Sequence, residues 1–188
     1  MNLENLVVRG LKISRFSSEG IEITSSNAVV AGNNISSNSS GGIYINASNG
    51  NRIGGTAPAD RNVISGNNGS VGVDIFFSNG NSVLGNFIGT DASGTAALGN
   101  QFKGVDLTTE SSGNVIGGVA PGAANWIAFH SSAGVSVQGG TNNPVRGNRL
   151  FSNSGLGIDL SSSGVTANDT GDGDDGPNQI QNFPILTN

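Results

Sequence analysis

Carboxylates recur at one position of a short repeated motif. Asp74 and Asp106 each occupy the third place of a Gly–aliphatic–variable–aliphatic sequence. Two carboxylates held close together repel each other, which raises the pKa of one of them unless a cation or a hydrogen-bond donor intervenes. Such a pair can serve as acid and base in catalysis, can bind a cation, or can remain solvated. The sequence leaves these three readings open.

The motif that carries these carboxylates occurs six times. Its glycines are 22 to 32 residues apart, and in each copy two aliphatic residues alternate with one variable residue. This alternation is typical of a strand with one buried face, and recurrence at this period predicts a solenoid with one coil per interval. The aliphatic residues that close the motif are predicted to point inward: Ile23, Ile45, Ile75, Leu107, Val137 and Leu160. The variable residues are predicted to form an outward column: Glu22, Tyr44, Asp74, Asp106, Ser136 and Asp159.

Asparagine marks two further positions in each interval. One Asn-x-aliphatic pattern recurs at Asn27, Asn51, Asn81, Asn114 and Asn143. Another recurs at Asn33, Asn62, Asn86, Asn125 and Asn148. Each coil therefore has three strands and three corners, which predicts an all-β, three-faced parallel β-helix of about six coils. Stacked asparagines at the corners can hydrogen-bond from coil to coil.

Composition excludes several classes of protein. The 188 residues include 31 glycines, only 5% are aromatic, and 35% are hydrophobic, which fits many short strands and tight turns rather than a helical bundle. The absence of cysteine excludes disulfides and thiol chemistry. A net charge of −5 with 8 Lys and Arg argues against binding to nucleic acid. No apolar window is long enough for a membrane span.

The chain divides into a repeat region and a tail. Residues 1–160 are assigned to the coils and residues 161–188 to a non-repeat acidic tail that packs on the helix or leaves it. Because the chain begins partway round a coil without a cap, we expect further domains of a longer parent chain. Four tail carboxylates have a spacing suited to calcium, although the full twelve-residue calcium loop is lacking, so a solvated acidic loop is the alternative. These candidate ligands are Asp169, Asp172, Asp174 and Asp175.

A second outward column is predicted beside the second set of asparagines. Its members are Asn34, Val63, Phe87, Trp126 and Arg149. Three apolar residues in a row on an outer face are unusual. Either the insertion 88–100 folds back over them, or Val63, Phe87 and Trp126, together with Tyr44 of the first column, bind sugar rings or a protein partner. His130, the single histidine, is expected in a surface turn.

Several segments resemble a known repeat type. Residues 51–67, 85–100 and 156–184 are similar to the right-handed parallel β-helix repeats of large bacterial secreted and cell-surface proteins. The resemblance implies the right-handed fold and an extracellular or cell-surface setting. The same fold class includes pectate lyases, polygalacturonases and alginate epimerases, but their signatures are not matched: no paired-Asp run with Gly-His-Gly and Arg-x-Lys is present, and no Lys or Arg is expected beside the Asp column.

Three functions therefore remain open. The first is a non-catalytic β-helix module that serves as a stalk or as a surface that binds polysaccharide or a protein partner. The second is a polysaccharide lyase or glycoside hydrolase that uses Asp74 and Asp106. The third is a self-assembling oligomerisation module whose strand edge or apolar stripe makes the contact.

Overall fold

The protein is a right-handed parallel β-helix with three faces. Its computed structural model describes residues 6–161, 164–171 and 173–182. Three parallel sheets, each of six strands, are formed because every coil contributes one strand to each sheet. The predicted fold class is therefore confirmed.

The strands are short, and each pairs with its counterparts one coil before and one coil after. Sheet A contains β1 (Val7–Arg9), β4 (Val29–Ala31), β7 (Arg52–Gly54), β10 (Ser82–Leu84), β13 (Val115–Gly117) and β16 (Val145–Arg146). Sheet B contains β2 (Lys12–Ser14), β5 (Asn34–Ser36), β8 (Val63–Ser65), β11 (Phe87–Ile88), β14 (Trp126–Ala128) and β17 (Arg149–Phe151). Sheet C contains β3 (Glu19–Ile23), β6 (Gly41–Asn46), β9 (Val71–Phe76), β12 (Lys103–Thr108), β15 (Val135–Val137) and β18 (Ile158–Leu160).

The core consists of aliphatic columns inside the three sheets. In sheet C, Ile45 pairs with Ile75 and Ile75 with Leu107, so residues of one column lie in register. The predicted inward residues are buried, except that Leu160 of the last coil is half-buried. The strict alternation of apolar and polar residues thus fixes the register, because a slip of one residue would expose an entire column.

Stacked asparagines line the corners. Asn62 donates from Nδ2 to Oδ1 of Asn86 at 2.9 Å, and Asn81 makes the same contact with Asn114 at 3.0 Å. The same amide groups also bond backbone atoms, so these buried polar side chains are satisfied. A third stack, which the sequence patterns above did not include, begins at Asn38, Asn67 and Asn100.

The second coil departs from the predicted pattern by one residue. Val29 pairs with Arg52, and the backbone N–H of Ala28 donates to Oδ1 of Asn51 at 2.8 Å. Ala28 therefore occupies the stacking position that we predicted for Asn27. Asn27 instead adopts a positive φ of 61° and bonds through its backbone N–H to Asn49.

Two short 3₁₀ segments lie outside the sheets, at Pro58–Asp60 and Pro177–Ile180. The second contacts the last coil, where Asn178 continues a corner stack by accepting the backbone N–H of Asn143 at 2.9 Å. Within the part of the chain that the structure describes, neither segment nor any other helix has the length and hydrophobicity needed to cross a lipid bilayer.

Candidate functional site

The outer face of sheet C carries the column of variable residues. Tyr44 pairs with Asp74, and Asp74 pairs with Asp106, as predicted from the motif. The register extends this row in both directions, from Glu22 at one end to Ser136 and Asp159 at the other. Since neighbouring strands lie about 4.8 Å apart, the side chains of this row are spaced at that interval along the helix.

A cleft opens on this face beside the row. It has a volume of about 270 Å³, close to the lower end of the range for small-molecule sites, which is about 300–1,000 Å³. Its polar lining comes from three consecutive coils and offers carboxylate, hydroxyl and phenol groups: Glu19, Ser40, Tyr44, Ser70 and Asp74. Hydrogen-bond acceptors, hydroxyl donors and one aromatic ring therefore converge on a single small cavity.

Lys103 lies beside the column and pairs with Asp106. Lys103 Nζ is 2.9 Å from Asp106 Oδ2, and the two side chains are only 6% and 9% exposed. This corrects the expectation that no lysine lies beside the Asp column, and it removes the solvated reading for Asp106. The physical reason is a break in alternation: Gly104 faces Ile127 in the core and the next residue, Val105, is also buried, so Lys103 turns to the outer face.

The surroundings of Asp74 on this face alter its proton affinity. The pKa of Asp74 is raised to about 6, mainly by burial and secondly by the negative charge of Asp106, whereas the charge of Lys103 lowers it. Burial and the charge of Asp74 likewise raise the pKa of the Tyr44 phenol. At neutral pH the cleft thus holds a neutral phenol donor next to a carboxyl that takes up a proton just below neutrality.

The apolar stripe on sheet B has the predicted register but is not an open platform. Val63, Phe87, Trp126 and Arg149 follow one another in register. The Phe87 and Trp126 rings stack at 4.8 Å, with the Arg61 guanidinium over Phe87 and that of Arg149 over Trp126. The insertion 88–100 folds back so that Gly94 packs against the Trp126 ring, and Phe87 is only 5% exposed. Of the four predicted binding residues, Tyr44 is the one that lines the cleft on sheet C.

His130 is buried, which contradicts the expectation of a surface turn. It takes the place of an asparagine in the third corner stack, between Asn100 and Asn153. Its Nδ1 accepts the backbone N–H of Asn100, and its Nε2 lies 3.3 Å from the carbonyl oxygen of Ile88, the contacts of a neutral imidazole protonated at Nε2. Burial lowers the pKa of His130 to about 4. The ring is therefore a buried member of the third corner stack.

The acidic tail does not present a metal site among the residues that the structure describes. Asp169 is engaged by Asn182, which bonds its backbone N–H, carbonyl oxygen and carboxylate. No three acidic or histidine side chains converge within the described ranges. Asp172 lies outside those ranges, while Asp174 and Asp175 are described. Calcium binding by the tail remains a prediction.

Comparison with known proteins supports the fold. No family model and no curated protein matches the sequence. A substitution variant of the periplasmic alginate epimerase AlgG is similar in structure, with a TM-score of 0.58 and 21% identity over 79% of this chain. A second AlgG structure gives a TM-score of 0.43 with 15% identity over 83% of this chain. These alignments cover 32% and 39% of the AlgG chain, so this chain spans only about a third of that protein.

Proposed function

We propose that this chain is a polysaccharide-binding β-helix module that works outside the cytoplasm as part of a longer protein. The observation that carries the proposal is the cleft on the outer face of sheet C, in which Tyr44 lies between the carboxylates of Glu19 and Asp74. A solenoid face with one such cleft suits a long polymer that lies along the coils with one sugar unit in the cavity. The similarity in fold to AlgG is consistent with this proposal.

The charges of the cleft select the class of polymer. Carboxylates accept strong hydrogen bonds from sugar hydroxyls, and the ring of Tyr44 offers an apolar surface for a sugar face. Glu19, Glu22 and Asp74 all contribute negative potential at Tyr44. A neutral, hydroxyl-rich polysaccharide therefore fits this site better than a polymer of uronic acids, which the carboxylates would repel.

Binding measured against a panel of neutral and acidic polysaccharides tests the proposal. Tyr44→Ala should weaken binding at least tenfold, because it removes the aromatic surface and the phenol donor. The matched control is Phe151→Ala, which removes a half-buried aromatic side chain from sheet B, on another face. Circular dichroism melts establish that both variants are folded. No binding to any polymer in the panel, or equal loss in the two variants, would overturn the assignment.

A second function, glycoside hydrolysis, is favoured by one specific observation. Asp74 has a pKa of about 6 and lies one coil from Asp106, which is ion-paired with Lys103. A protonated carboxyl beside an ionised one is the arrangement that glycosidases use. If the chain is a hydrolase, Asp74→Asn should abolish release of reducing ends while binding is retained. If the unsubstituted chain releases no reducing ends from any polymer in the panel, only the binding function stands.

A further inference from the structure

Four oxygen atoms along the outer row of sheet C lack hydrogen-bond partners. They are Oδ1 of Asp74, Oδ1 of Asp106, Oγ of Ser136 and Oδ1 of Asp159, and all four are buried. They belong to four consecutive coils. Buried polar oxygens in native proteins nearly always have a partner, so unpaired oxygens on neighbouring coils indicate a water molecule or a cation between those coils.

The burial of this row makes the missing partners costly. Asp106 is 7% exposed and Ser136 is 1% exposed, so bulk water does not solvate them as it would a surface carboxylate. Leaving a buried acceptor without a partner destabilises the folded state, and more so when the group is charged. Lys103 bonds only Oδ2 of Asp106, and no other ion pair to this row occurs among the described residues. Positive charge is therefore in deficit here.

The spacing of the coils matches one class of cation. Adjacent strands are about 4.8 Å apart, so an ion midway between oxygens of two neighbouring coils lies about 2.4 Å from each. Calcium–oxygen distances are about 2.3–2.6 Å, whereas magnesium requires about 2.0–2.1 Å. The spacing of the coils therefore suits a calcium ion better than a magnesium ion.

We propose that Oδ1 of Asp74 and Oδ1 of Asp106 bind a calcium ion between two adjacent coils. This pair is favoured because both members are carboxylates in direct register and because Asp74 lines the open cleft, which gives the ion an entrance. No third acidic or histidine side chain converges on the pair within the described residues, so water in the cleft completes the coordination. Two protein carboxylates predict a weak site, in the range of about 10⁻⁴–10⁻³ M typical of extracellular modules.

The proposal is tested by thermal melts in calcium, in magnesium and in chelator. Because calcium binds only the folded form, the melting temperature of the unsubstituted chain should rise by roughly 3–5 °C for each tenfold increase in calcium concentration above the dissociation constant. Magnesium should give a much smaller rise. Asp74→Asn should remove the dependence on calcium while the variant melts at or above the parent in chelator, because the repulsion between the two carboxylates is gone. A calcium shift that survives Asp74→Asn would overturn the proposal.

Two further measurements localise the ion. Terbium, which replaces calcium at oxygen sites, should show emission sensitised by the tyrosine ring, and Tyr44→Phe should remove that emission without removing the calcium shift in melting temperature. The matched control is the double variant Asp174→Asn/Asp175→Asn, which removes two carboxylates from the tail. Loss of the calcium shift in this control, with retention in Asp74→Asn, would place the ion in the tail and refute the bridge. This test is independent of glycan binding, so its failure leaves the proposed function standing.

Discussion

His130 and Asn100 are joined by a hydrogen bond in which imidazole Nδ1 accepts a buried backbone N–H at 3.2 Å. In the coil before, the same role is played by an amide oxygen, since Oδ1 of Asn100 accepts the backbone N–H of Asn67 at 3.1 Å. A histidine thus replaces one amide in a stack of asparagines. Unlike an amide, the imidazole loses its acceptor when it is protonated.

This substitution predicts acid sensitivity. Because the pKa of His130 falls from about 6.5 in the unfolded chain to about 4 in the folded one, the unfolded state binds more protons between these values. The stability contributed by the neutral imidazole is complete above pH 6.5 and is lost as the pH falls toward 4, by roughly 3 kcal/mol at most. Urea unfolding at pH 7 and pH 4.5 measures the loss.

The control is His130→Asn, which restores the amide found at the equivalent position of the two adjacent coils, at Asn100 and Asn153. This variant should remain folded, and its stability should fall less between pH 7 and pH 4.5 than that of the parent chain. Asp74 titrates in both proteins, so its contribution cancels in the comparison. Identical pH dependence in the two would show that His130 does not carry the effect.

Because Lys103 and Asp106 form a buried ion pair, the losses of stability caused by substituting each of them should be strongly non-additive. Lys103→Met leaves a buried carboxylate without its cation and should destabilise the fold by about 3–5 kcal/mol. The double variant Lys103→Met/Asp106→Leu removes both charges and should recover most of that loss. Chemical denaturation of the four proteins of this cycle gives the coupling energy. Additive losses would mean that the pair is solvated rather than buried.

The asparagine stacks predict that removing an amide from the middle of a stack destabilises the fold more than removing one from its end. Asn86 donates to the carbonyl of Ile53 and accepts from both the backbone and the side chain of Asn62. Asn86→Ala leaves these three buried groups without partners and should cost at least about 3 kcal/mol, because each unpaired group costs about 1–3 kcal/mol. Asn148→Ala, in the last coil of the same stack and only half-buried, should cost less. Equal unfolding midpoints for the two variants in urea would contradict the argument.

The cover over the sheet B stripe is tested by the single tryptophan. Gly94 has a positive φ of 77°, and a Cβ there would collide with the Trp126 ring. Gly94→Ala should therefore displace the insertion, expose the ring and shift its fluorescence emission to longer wavelength. Gly80→Ala is the matched control, because Gly80 has a similar φ of 64° but open space at the Cβ position. Emission that is unchanged in Gly94→Ala would show that the loop does not cover Trp126.

The fold was predictable because each coil repeats the same pattern of glycine, aliphatic and asparagine residues. The glycine-led motif sets the strand of sheet C, and its aliphatic residues set the register, so the outward column followed directly. The third corner stack carried a readable signal as well, because Asn38, Asn100 and His130 each lie four residues before a motif glycine. That regular spacing would have placed His130 inside the helix rather than at the surface.

The contacts around the candidate site were not predictable from alternation. Lys103 and Asp106 are three residues apart, so strict alternation puts them on opposite faces of the strand. The break in alternation at Gly104 and Val105 reverses this, and the pattern of residue types does not reveal it. Likewise the sequence allowed the insertion 88–100 either to cover the stripe or to leave it open, since loop conformation depends on packing rather than on period.

Backbone amide chemical shifts recorded during titration with an oligosaccharide show whether a polysaccharide lies on the outer face of sheet C. We expect the largest changes on the three coils that line the cleft, at Glu19, residues 40–44 and residues 70–74. Residues of sheet B, such as Val63 and Trp126, should change little. Changes concentrated on sheet B, with the cleft unaffected, would contradict the account.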